Sequence, residues 1–85
     1  MPFFVLSCTD NEGTLEKRLA VRPQHIERLQ KLDDEGRLVA AGAMPKDPND
    51  PQAGFYGSTM IVEFDTREAL DEWLKEEPFL KEGIY

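Results

Sequence analysis

An antiparallel β-sheet with two helices packed on one face, an α+β fold, is predicted by three features of this 85-residue chain. Short runs rich in aromatic and β-branched residues recur along it, apolar residues recur at helical spacing between them, and glycine or proline marks each change of period. The resulting order is β-α-β-β-α in a single domain, residues 1–85.

Phe3-Phe4-Val5-Leu6-Ser7-Cys8 reads as strand one, and Thr9-Asp10-Asn11-Glu12-Gly13 favours a turn. Thr14 to Val21, with Leu15 and Leu19 four apart, reads as a short helical approach to the main helix. Pro23 suits the first position of that helix, because its locked φ and missing N–H cost nothing there, and Gly36 is its natural stop. Advancing each residue by about 100° places Leu29 and Leu32 close to His25 on the helix surface. The only histidine of the chain therefore lies in an apolar stripe.

Arg37 to Met44 reads as strand two, closed by Pro45. The connection from Lys46 to Gly57 exceeds a minimal hairpin and is a candidate lid or site edge. Ser58 to Phe64 reads as strand three. Asp65-Thr66-Arg67-Glu68 has capping-box spacing, with Asp65 in the place of the usual hydroxyl, and opens helix two. Ala69, Leu70, Trp73 and Leu74 line one side of that helix, Trp73 being expected in the core, and Pro78 stops it. Phe79 to Tyr85 is a stub where another strand could begin. The architecture is ferredoxin-like, with the final strand missing or shortened, so that a sheet edge needs another cover such as a partner chain.

Lys and Arg total 10 against 17 Asp and Glu, a formal net charge of -7 that repels phosphate backbones and anionic lipid surfaces. Neither nucleic acid nor membrane is an expected partner. A domain this small buries only a little over half of the surface its unfolded chain exposes, so a homodimer or higher homo-oligomer is expected. The single Cys8 excludes an internal disulfide framework, and with no leader or long apolar run the expected location is cytoplasmic. One histidine and one cysteine cannot close a zinc site, and phosphate-loop and dinucleotide fingerprints are absent, so neither a metal nor a cofactor is expected.

Four segments together resemble the YciI-like (YCII-related) family: TLEKRLAVRPQHIERL from Thr14, DEGRLVAAGAMP from Asp34, NDPQAGFYGST from Asn49 and EEPFLKEGIY from Glu76. The resemblance covers essentially the whole chain. It implies a ferredoxin-like domain forming a dimeric α+β barrel, similar to muconolactone isomerase, with a cleft containing a histidine-aspartate dyad. It also includes a relative that dechlorinates in chlorinated hydroxyquinol breakdown. His25 matches the family histidine, Asp10 the aspartate after the first strand, and Ser58 the serine of the Gly-Ser-Thr motif. Ala43 stands where a proline commonly follows Gly42, and Glu77 where an aspartate usually precedes Pro78.

Histidine titrates near working pH without large perturbation, which suits it to general acid–base chemistry. In a first helical turn the helix dipole would disfavour the His25 cation, and a carboxylate would favour it and fix the tautomer. Positions 21, 22, 28 and 29 are Val, Arg, Arg and Leu, so that carboxylate must come from outside the helix. Asp10, at the end of the central strand, is the candidate. Ser58, Arg22 and Arg18 are candidate substrate-binding groups, the arginines for an anion, while Cys8 in an apolar strand reads as buried and inert. The expectation is an enzyme of elimination or isomerisation with His25 and Asp10 as catalytic residues. The rival readings are a non-catalytic small-ligand-binding or regulatory dimeric module, with His25 as a core histidine, and a structural dimerisation unit.

Overall fold

The computed structural model describes residues 2–85. It contains β1 (Phe3–Thr9), α1 (Leu15–Asp34), β2 (Leu38–Pro45), β3 (Phe55–Glu63), α2 (Arg67–Lys75) and the single-turn α3 (Pro78–Lys81), with a 3-10 turn at Pro51–Ala53. The strands form one antiparallel sheet in the order β1-β3-β2. Among the described residues β3 is thus the central strand, and β1, expected at the centre, is an edge. Phe3 lies opposite Glu63 and Thr9 opposite Gly57. A side chain at position 57 would collide with the Cys8 carbonyl, so glycine is what lets the two strands close at that end.

α1 is one continuous helix of 20 residues, rather than a short approach followed by a helix that starts at Pro23. Pro23 and Leu19 both face outward, so water can reach the Leu19 carbonyl that the proline cannot bond. The opposite face buries Arg18, His25, Leu29 and Leu32, a stripe of helical period. α2 begins one residue later than expected: Thr66, not Asp65, is its cap, and its hydroxyl accepts the Ala69 N–H at 3.1 Å. Pro78 ends α2 but also opens α3, because proline fits a first helical position. The stub expected to begin a strand is therefore helical at its start.

One sheet face and the helices enclose the core, in which Met60 and Val62 of β3 meet Leu29 and Leu32 of α1, Leu70 of α2, and Phe64. Trp73 sits half-buried at the core's border, its ring 5.8 Å from that of Phe64. The other sheet face leaves Phe3 60 % and Val5 69 % exposed. No helix among the described residues is long and apolar enough to cross a membrane.

Candidate functional site

His25 lies in the middle of α1, not in its first turn, so the helix-dipole effect expected for it does not apply. Beyond α2 the chain returns across α1, and this return brings Glu77 to His25. The Glu77 carboxylate Oε1 meets the ring at Nδ1, with His25 only 5 % and Glu77 only 1 % exposed. A carboxylate only accepts, so Nδ1 carries the proton in this bond and Nε2 is the nitrogen free of Glu77. The second Glu77 oxygen accepts the Leu80 N–H at 3.1 Å and caps α3. Phe79 stacks on the imidazole at 4.1 Å between centroids, and Tyr85 meets the same ring edge-on at 6.5 Å.

The expected partnership of His25 with Asp10 is not the one that forms. Asp10 is held instead by Arg18, whose Nη1 donates to both carboxylate oxygens at 2.6 and 2.7 Å. Arg18 precedes His25 by two helical turns on the same face of α1, next to the end of β1. Its charged fork meets Asp10 there, and the ion pair is what allows an arginine to occupy a core-facing position. Nη2 of Arg18 donates to Ser58 Oγ at 2.8 Å. The faces of the guanidinium lie against Phe55 at 4.4 Å and Phe79 at 4.9 Å. Arg18, expected to bind substrate, is buried among these partners and also lines the cavity at His25. Arg22 is exposed and forms no ion pair among the described residues.

A cavity of about 150 Å³ joins several of these groups, lined by Arg18, Arg22, His25, Ala41, Gly42 and Ser58 among others. The small side chains of β2 leave this space open opposite α1. A wider, more open cleft of about 490 Å³ lies at the start of α1, between Asp10 and Lys46. The connection read as a candidate lid borders that cleft through Lys46, Ala53 and Gly54, rather than the His25 cavity. No group of three or more His, Cys, Asp and Glu side chains among the described residues is arranged to hold a metal.

Two further ionisable groups pack behind the site. Burial, reinforced by the negative charges of Glu77 and Asp10, pushes the half-buried Cys8 thiol up and holds it protonated. The Tyr85 hydroxyl is buried without a hydrogen bond of regular geometry among the described residues. Burial pushes its phenol up from 10.0 to about 12, with the nearby Ser58 hydroxyl pulling the other way. A pKa raised on folding contributes stability in full below the unfolded value and loses it as pH rises through the folded one. Unfolding free energy measured by urea titration should therefore fall as pH rises from 10 to 12, and fall less in a Tyr85→Phe variant.

Phe55, Phe79, Tyr85 and above all Glu77 are the site residues that local sequence reasoning missed. Glu77 had one legible signal: a carboxylate directly before Pro78 and the apolar Phe79-Leu80 pair is the pattern of a capped short helix. That signal places Glu77 at a helix start but does not say which helix it meets.

The sequence pattern of the YCII-related domain matches residues 2–85. The chain is 51 % identical over 84 residues to Protein YciI of Escherichia coli, covering 96 % of this chain and 86 % of that one. It is 32 % identical over 77 residues to the derivative of benzaldehyde biosynthesis cluster protein C of Emericella nidulans, covering 86 % of this chain and 78 % of that one. Among solved structures, the 5-chloro-2-hydroxyhydroquinone dehydrochlorinase of Burkholderia phenoliruptrix, in complex with 2,5-dihydroxybenzoquinone, matches with a TM-score of 0.85. That match has 21 % identity and covers 98 % of this chain and 84 % of the other, a likeness of fold.

Proposed function

The chain belongs to the YCII-related domain family, and from that premise we propose that it is a small-molecule enzyme whose His25 performs acid–base chemistry in the cavity between α1 and β2. The observation that carries this reading is a buried histidine, oriented by a buried carboxylate and opening on a cavity that also holds Ser58 and an unpaired Arg22. Glu77 takes the orienting role that the sequence suggested for Asp10.

Nε2 acts as the base. It removes a proton from carbon, and the imidazolium that forms is stabilised by Glu77 across the Nδ1 bond. In an elimination the electron pair of the broken C–H bond forms a double bond and expels an anionic leaving group from the neighbouring carbon. In an isomerisation the proton returns from Nε2 to a different carbon, so that no atom is gained or lost. Arg22 attracts an anionic substrate, and the volume suits a single ring, comparable to an engineered cavity of ~150 Å³ that binds benzene. The names of the relatives, a dehydrochlorinase acting on a hydroxylated ring and a benzaldehyde-derivative cluster protein, support a small aromatic substrate class.

Proton transfer can be read without knowing the reaction. The parent protein is expected to catalyse exchange of solvent deuterium into at least one member of a panel of phenols and 1,3-dicarbonyls, and chloride release from 5-chloro-2-hydroxyhydroquinone is the companion assay. A folded His25→Gln variant should lose about 100-fold or more of either rate. Equal rates in the two proteins would rule out His25 as the base and leave the ligand-binding module as the reading.

The proposed assembly is a cytoplasmic homodimer that buries the apolar sheet face carrying Phe3 and Val5, with a second sheet laid on it as in a dimeric α+β barrel. Light scattering should give a dimer mass for the parent and a monomer mass for a Phe3→Lys/Val5→Lys variant.

A further inference from the structure

The stretch from Glu77 to Tyr85 brings a carboxylate and two rings to His25, and most of its hydrogen bonds are internal. Leu80 and Lys81 donate to the Glu77 carbonyl, Gly83 to Leu80, and both Ile84 and Tyr85 to the Phe79 carbonyl. Among the described residues, its hydrogen bonds to elements other than the adjoining α2 are the Glu77 bond to His25 and three from Asn11. Asn11 lies in the turn after β1, and its backbone N–H donates to the Ile84 carbonyl at 2.7 Å. Its Nδ2 donates to the Gly83 and Tyr85 carbonyls at 2.9 and 3.1 Å, one bond for each amide proton. Asn11 is itself fixed, because the Thr14 hydroxyl donates to its carbonyl at 2.6 Å and the adjacent Asp10 is held by Arg18.

We infer that Asn11 is a positioning residue of the His25 site, clasping residues 83–85 so that Phe79 stays stacked on the imidazole and Glu77 stays on Nδ1. The inference rests on His25 being the base of the proposed function. A single helical turn has no stability of its own, so α3 keeps its place only while both its ends are held. Glu77 and His25 hold one end, and Asn11 holds the other. The Phe79 carbonyl, which accepts from both Ile84 and Tyr85, links the clasp to the ring two residues beyond Glu77. Once the stretch shifts, Nδ1 loses its acceptor and the imidazole proton is free to move to Nε2. The ring then presents a donor where the reaction needs a base.

The test is NMR of the protein labelled with 15N-histidine, His25 being the only histidine. With the ring neutral, the parent should show Nδ1 protonated and an Nδ1 proton that exchanges slowly with water. Asn11→Asp preserves the size of the side chain but sets oxygens that cannot donate against two carbonyls. It is expected to lose the slow Nδ1 proton, to mix the two tautomers, and to slow solvent-deuterium exchange into substrate by about tenfold to a hundredfold. Asn11→Ala keeps the backbone bond and should show the same changes in smaller degree, which also serves if Asn11→Asp does not fold. Leu38→Ala is the control: it weakens the core at the start of β2, away from the clasp, and should leave the Nδ1 proton in place.

An Nδ1 proton unchanged in folded Asn11 variants would make the clasp merely structural and overturn the inference, while the proposed function stands. The same follows if Leu38→Ala loses that proton as readily as they do. A parent ring protonated on Nε2 would instead overturn the base assigned in the proposed function, and this inference with it.

Discussion

Replacing Glu77 by alanine is expected to lower the unfolding free energy by about 3–5 kcal/mol, a large share of the stability of so small a domain. The side chain is 1 % exposed and serves two partners at once, Nδ1 of His25 and the Leu80 N–H that begins α3. Its removal leaves a buried imidazole without its acceptor and a helix without its cap. Glu77→Gln keeps an oxygen for the cap and a polar group against the ring, so its cost should be smaller, about 1–2 kcal/mol. Urea unfolding followed by the fluorescence of Trp73, the only tryptophan, measures both. Alanine and glutamine variants both as stable as the parent would show that the carboxylate charge and the cap contribute nothing.

The second large effect is expected at Arg18. Arg18→Met keeps the length of the side chain but strands the Asp10 carboxylate, which is 6 % exposed, without its cation. The expected loss is about 3–5 kcal/mol. Adding Asp10→Asn to that variant removes the stranded charge and should recover about 1–3 kcal/mol, the coupling characteristic of residues in direct contact. A double-mutant cycle by chemical denaturation gives this coupling directly. Strict additivity of the two substitutions would mean that Asp10 and Arg18 are not partners in solution.

These two pairs also mark where sequence reasoning stopped. That His25 belongs to a buried helix face was legible, because helical period is local and Leu29 and Leu32 define the stripe within two turns. The same period places Arg18 on that face. Its charge argued for solvent or substrate, and only the presence of Asp10 beneath it makes burial stable. Continuity of α1 through Pro23 was not legible either. A proline within a helix is tolerable or not according to whether the carbonyl it orphans faces water, which packing decides.

By itself, the sequence determined the α+β class, the order of elements from β1 to α2, the family, and the placement of one histidine in an apolar stripe. Each follows from residues near one another in the chain or from their order along it. Only the tertiary structure decided that β3 is central and that Glu77, 52 residues from His25, is its partner while Asp10 belongs to Arg18. The physical reason is that hydrogen bonds between distant residues are set by how whole elements dock. The return of α3 across α1 delivers one carboxylate to the histidine, while the other is held by the arginine.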